Sequence, residues 1–231
     1  MHRKLRSGMI ILLIIVSALW SFRTVWGSSL DLALTTDKSV YGVGDRVIIN
    51  GNLTLNNKPV PDGVVAIQVD DPQGNTFILR TKPAGNPVTT SWPVEISGIV
   101  PIADISRAPT YVFQRGSYVG FNVTISNSDF SAHAVMIAVN VYSSTGVPFA
   151  TRVLYNGTLE GQRKVTFTSY PSVRIPDDAS LGEAVAYVSI LNARLPKEGG
   201  FAFSPERSIR FDVVNATSSM SGGAVSALTG S

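Results

Sequence analysis

From about residue 28 onward the chain alternates apolar and polar positions with a period of two, interrupted by Gly, Pro and Asn roughly every 8 to 12 residues. In RVIINGNLTL the side chains of Val47, Ile49, Leu53 and Leu55 share one parity, with Gly51 in the same row, which predicts a strand with one buried face. VVAIQV places Val65, Ile67 and Val69 on a second such row and ends at DDPQGN, whose Asp-Pro and Gly-Asn pairs favour a turn. TFILR and SWPVEI predict two further strands. Trp92 is in phase with Val94 and Ile96 and reads as core or as an edge anchor, and Pro93 favours an edge position. Long helical periodicity is absent from this region, so the class is an all-β sandwich.

The pattern then returns at a constant offset along the chain. Gly44, Val47, Ile49, Leu53, Val65, Ile67, Val69 and Gly74 map without a gap onto Gly116, Val119, Phe121, Ile125, Ile137, Val139, Val141 and Gly146. This predicts two tandem immunoglobulin-like β-sandwich domains, at 28–103 and 104–214, each with its own core and joined by a tight or protease-sensitive junction near Pro101–Pro109. Residues 215–231, NATSSMSGGAVSALTGS, are small and polar and predict a flexible tail.

The stretch YGVGD (41–45) has the look of a ligand-cradling glycine loop, but a strand follows it where a phosphate loop would open a helix. Its counterpart is FQRGS, which keeps Gly116 and replaces Gly42 by Gln114. The motif is therefore a corner. Gly44 and Gly116 are expected at positive φ, and the ring of Tyr41 or Phe113 is expected to cover the end of a core.

TDKSVYGVGDRVIINGNL, with KPVPDGVVAIQVDDPQGN after it, resembles the opening half of macroglobulin-type and related immunoglobulin-like modules of archaeal and bacterial surface proteins, whose pattern is D-K-x-x-Y-x-x-G-D-x-V-x-I-x-G followed by V-x-V-x-D-P-x-G. RGSYVGFNVTISN and IPDDASLGEAVAYV are similar to repeats of archaeal envelope proteins. Such modules often carry a tyrosine two residues after the glycine at 182; Ala184 stands there, which leaves Tyr187 as the candidate for that corner. The resemblance implies a sandwich fold and a surface location and names no activity.

The N-terminal segment, 1–27, adds a location. MHRKLRSG, the apolar run MIILLIIVSALWSF and RTVWGSS form a basic n-region, an h-region over Met9–Phe22 and a small-residue boundary near Gly27. The segment predicts a hydrophobic helix that serves as a cleaved signal peptide or as a retained N-terminal membrane anchor, with the rest of the chain outside the membrane. Four of the 19 basic residues, Arg3, Lys4, Arg6 and Arg23, lie in this leader, and the remainder carries 15 basic against 16 acidic groups. The basic excess therefore belongs to the leader and not to a nucleic-acid face. With no cysteine, disulfides, thiol chemistry and cysteine metal sites are excluded.

Catalytic chemistry finds few candidates. The histidines are His2 and His133, the latter in SDFSAHAV, which reads as a surface loop; no G-x-S-x-G elbow accompanies it. Asp70-Asp71 and Asp177-Asp178 could in principle hold calcium, but neither has D-x-D-x-D-G spacing, and acidic turn residues have their own hydrogen-bonding reasons. No cofactor is expected. Four N-x-Ser/Thr sequons, at Asn52, Asn122, Asn156 and Asn215, are candidate glycosylation sites, with Asn156 read in a turn. The sequence thus predicts a non-catalytic extracytoplasmic cell-surface or envelope protein, acting in adhesion, scaffolding or accessory binding. Its expected partners are envelope or surface proteins, or surface glycans. The alternative is a carbohydrate- or solute-binding module, for which Trp92, Tyr142 and Tyr155 would have to line one groove.

Overall fold

The period-two runs become strands, because alternating side chains can bury one row while the backbone pairs sideways. A computed structural model describes residues 14–18, 30–42, 44–85, 91–169 and 172–216, and these are all-β, with one 3-10 turn at Pro196–Glu198. In chain order the strands are β1 (Ile14–Ala18), β2 (Leu30–Thr36), β3 (Ile49–Leu55), β4 (Lys58–Pro59), β5 (Val64–Asp70), β6 (Thr76–Pro83), β7 (Val94–Ala103) and β8 (Val112–Gln114). They continue as β9 (Tyr118–Asn127), β10 (His133–Tyr142), β11 (Pro148–Leu159), β12 (Arg163–Thr168), β13 (Val173–Arg174), β14 (Gly182–Leu191) and β15 (Ala202–Val214).

The C-terminal part is a sandwich. One sheet has the order β11-β10-β14-β15-β8; the other centres on β9, with β7 along one edge and β12 and β13 along the other. Val135, Ile137, Val139 and Val141 of β10 and Ala184, Ala186, Val188 and Ile190 of β14 pack with Val119, Phe121, Val123 and Ile125 of β9 in one core. Each fully buried Val, Ile or Phe side chain contributes about 2 kcal/mol.

β10 is buried on both faces. Its other row, Met136 and Ala138, joins Leu191 and Ala202 in a second cluster with Val64, Ala66 and Leu79 of β5 and β6. That explains the nearly unbroken apolar run of HAVMIAVNVY. This cluster draws on residues of both repeats. It also corrects the expected row of β5 in part: Val69 is buried as expected, but Val65 and Ile67 are half-buried, while Val64, Ala66 and Gln68 of the opposite row are buried.

The repeat is visible as structure. β3, β5 and β6 recur as β9, β10 and β11. Both hairpin turns close alike, Gly74 N donating to Asp71 O at 2.9 Å and Gly146 N to Ser143 O at 2.9 Å, with φ of 85° and 80° at the two glycines. The strand before the expected boundary at 103/104 behaves differently from its neighbours. β7 pairs with β9 from Val94↔Asn127 to Ala103↔Val119, so it lies in the sheet of the second repeat. Residues 101–110 are tightly turned, Ala103 N reaching Ala108 O at 2.9 Å and Thr110 N reaching Pro101 O at 3.0 Å.

Of the leader, expected as a helix, only Ile14–Ala18 is described; its backbone is extended and pairs antiparallel with Val65–Val69. Among the described residues no helix is long and apolar enough to cross a membrane. The remaining leader residues and the tail beyond Ala216 lie outside the described residues.

Candidate functional site

The YGVGD corner is built by its polar groups. Tyr41 donates its hydroxyl to Asp37 Oδ1 at 2.6 Å and accepts from Lys38 N at 3.0 Å, while Ile48 N donates to the same Asp37 oxygen at 2.9 Å. Asp45 Oδ2 accepts from Gly42 N at 3.0 Å and from Lys38 Nζ at 3.2 Å. Each residue of D-K-x-x-Y-x-x-G-D thereby has a local task. The Tyr41 hydrogen bond, then Ile48 N, holds Asp37 below the usual carboxylate range, and the Gly42 amide followed by Lys38 does the same for Asp45. Gly44 has φ 89° and Gly116 φ 77°, as the motif requires. The matching turns are closed by Asp45 N to Gly42 O and Ser117 N to Gln114 O, both 3.1 Å. The aromatics divide the expected role: Phe113 sits in the core, 5.3 Å edge-on from Phe211, whereas the half-buried Tyr41 works through its hydroxyl.

The densest polar cluster lies where β6 meets the outer face of the five-stranded sheet. Arg80 Nε donates to Glu206 Oε2 at 2.5 Å, its Nη2 to Glu206 Oε1, and Lys82 Nζ lies 2.6 Å from the same Oε1. The guanidinium stacks 3.4 Å from the ring centroid of Tyr187 and 5.2 Å from that of Tyr142. The side chains of Arg80 and Glu206 are only 13% and 6% exposed. Burial opposes the charge on Arg80, yet the Glu206 carboxylate outweighs it and the pKa rises; burial likewise raises that of Tyr142. Asn140, fully buried, turns its carboxamide onto the backbone of Leu79, accepting from N at 2.8 Å and donating to O. Thr151 Oγ1 donates to Phe77 O beside it. Chemically this is a clamp: a bidentate ion pair between aromatic faces, with a side-chain amide standing in for a missing strand neighbour.

Tyr187 thus lies mid-strand on Arg80 and makes no corner. Arg80, Glu206 and Asn140 escaped the sequence reading, although one signal pointed to the last. An Asn in phase with Met136 and Ala138, in a strand apolar on both rows, is a buried polar group that needs partners.

The other expected residues are dispersed. His133 is not in a loop; it opens β10, half-buried, with Nε2 2.7 Å from Asp129 Oδ2 and its ring 5.2 Å from Phe203. Asp70 meets Gln68, Thr76 and Lys197; burial raises its pKa, and these three partners more than reverse that. Asp71 accepts from Gln73 N and Asn75 N to shape its turn, and Asp177 pairs with Arg174 at 2.7 Å. Among the described residues no group of three His, Cys, Asp or Glu could hold a metal ion. Trp92 packs at the shared cluster, Tyr142 on the clamp, and Tyr155 against Phe167 at 4.0 Å on the sandwich-core side, so the three line no common groove.

Asn52 is exposed on β3, and Asn156 is exposed within β11, a strand where a turn was expected. Asn122 is half-buried on β9 and accepts from Thr168 Oγ1 at 2.8 Å. Asn215 is exposed, its Oδ1 3.4 Å from Arg115 Nη1.

No family model and no curated protein matches the sequence. Solved structures with some likeness include the C-terminal domain of Wzt, with a TM-score of 0.42 and 11% identity over 55% of this chain and 77% of that one. Another is the Pseudomonas fluorescens alkylpurine DNA glycosylase AlkC bound to DNA containing an abasic site analog, with a TM-score of 0.37 and 15% identity over 54% of this chain and 31% of that one. Likeness at this level carries neither a family nor a function to the chain.

Proposed function

We propose that this chain is a non-catalytic extracytoplasmic protein of the cell surface or envelope, made of two tandem immunoglobulin-like sandwiches and acting in adhesion, scaffolding or accessory binding. The observation that carries this reading is the use of the buried charges. Arg80 and Glu206, the most enclosed ionic pair among the described residues, join the first repeat to the second, while Asp71 shapes a turn and Asp70 and Asp177 pair with Lys197 and Arg174. Polar groups so engaged stiffen the chain and leave strand edges and end loops as its means of contact. The leader supplies the location, holding the protein in the membrane or releasing it after export. Asn52 and Asn156 are exposed, and in a host that glycosylates exported proteins they would be the first to carry glycans.

Fractionation of host cells tests the reading. The protein is expected in the membrane or envelope fraction, with residues 28–231 digested by protease added to intact cells. Recovery only in the cytosol, or hydrolase turnover lost on His133→Ala, overturns it.

A further inference from the structure

The two repeats differ at one edge. β10 is flanked by β11 and, on its other side, by antiparallel β14, with Val139 opposite Val188. Its counterpart β5 is flanked by β6, but the next described strand after β6 is β7, which joins β9, so among the described residues no later strand takes the place that β14 takes. The backbone there is oriented to receive one. Leu79 turns its N–H and C=O away from β5 toward Asn140, so Ile78 and Arg80 are the residues bonded to Val69 and Ile67. It follows from antiparallel geometry that Ala66 and Gln68 direct their N–H and C=O outward. The segment seated on this edge is Ile14–Ala18, IIVSA, antiparallel like β14 and with Val16 opposite Ile67.

We propose that the outer edge of β5 is a strand-acceptor site, filled in the exported protein by an apolar β-strand of a neighbouring envelope polypeptide running antiparallel to β5. This rests on the export reading in one respect: a leader held in the bilayer or cleaved withdraws Ile14–Ala18 from the edge. The chemistry of the occupant is given twice in this chain, by IIVSA and by VAYVSIL of β14: chiefly small and branched apolar residues, with Ser in both and one Tyr in the second, without Pro or charge. Main-chain bonds to Ala66 and Gln68 would supply affinity, and the half-buried row of Val65 and Ile67 would select apolar partners.

The cysteine-free sequence makes the test direct. Full-length Ile67→Cys protein in membrane vesicles is mixed under mild oxidation with a lysine-flanked peptide copying residues 183–192 and carrying Val188→Cys. Ile67 is a non-hydrogen-bonded position on this edge, where facing Cα atoms lie about 4.5 Å apart, within disulfide range. The expected result is a mixed disulfide formed about tenfold faster than with Phe77→Cys, an exposed control on β6, because docking raises the effective concentration. Equal rates at the two positions overturn the proposal. An intrachain disulfide in the membrane-held Val16→Cys/Ile67→Cys protein makes the chain's own segment the permanent occupant and also overturns it. So does a disulfide between Val16→Cys and Ile67→Cys copies, which makes the donor a second copy. Recovery of the protein in the cytosol sinks the surface reading alone, since the peptide reaction run on that fraction still decides the edge.

Discussion

Asn140 closes the far edge of β6: its carboxamide takes both backbone groups of Leu79, 61 residues away in sequence, beside the apolar cluster of Leu79, Met136 and Ala138. Replacing it leaves a buried donor and acceptor without partners, so Asn140→Ala is expected to cost about 2–4 kcal/mol. Urea unfolding measures this. An unchanged midpoint would mean that water reaches the edge.

Arg80 and Glu206 form the ionic half of the same seam. Glu206→Ala strands a buried guanidinium and is expected to lose about 3–5 kcal/mol. Arg80→Met with Glu206→Met removes both charges and should recover a good part of that loss. A double-mutant cycle by chemical unfolding checks the coupling, and additive losses would argue against a closed pair.

The corner glycines separate backbone from space. Gly44→Ala is expected to cost about 1 kcal/mol, because φ is 89° although nothing lies within 4 Å of the added Cβ. Gly116→Ala should cost more, since its Cβ would come 2.6 Å from Asp177 Oδ1. Gly42→Ala should be tolerated. Thermal unfolding of the three variants ranks them.

Placement of β7 sets the autonomous unit. Residues 91–216 are expected to fold alone, while 104–216 lacks Val94 and Ile96 of the core and the edge beside β9, and should be molten or unfolded. Near-ultraviolet circular dichroism distinguishes the two.

Acid should weaken the fold by a stated route. Asp37, Asp45, Asp70 and Asp71 all titrate below the ordinary aspartate value when folded. Their contribution is therefore complete above the unfolded value of about 3.9 and is lost as pH falls through the lower folded values. Urea midpoints should hold near neutrality and drop steeply below about pH 4, and Asp70→Asn should flatten that drop.

The local chemistry was legible in the chain by itself. Alternation placed β3, β5 and β6, the gapless repeat matched them to β9, β10 and β11, and the turns at Gly74 and Gly146 and corners at Gly44 and Gly116 followed from residues adjacent in sequence. These features depend on backbone angles and on side-chain parity, which a few neighbouring residues determine. Which strands lie side by side was decided only by tertiary structure. Val94–Ala103 has the same apolar alternation whether it pairs with β5 or with β9, and it pairs with β9. Val65 and Val64 are equally apolar, so the layer lying against β5, and not its composition, determined which row was buried more deeply. Arg80 and Glu206 lie 126 residues apart, with nothing local to join them, and became a buried pair because the sheets brought them together, the guanidinium over the rings of Tyr142 and Tyr187. Period-two patterning specifies a face and leaves its neighbour open; long-range packing supplies the neighbour, and with it the burial that gives those charges their energy.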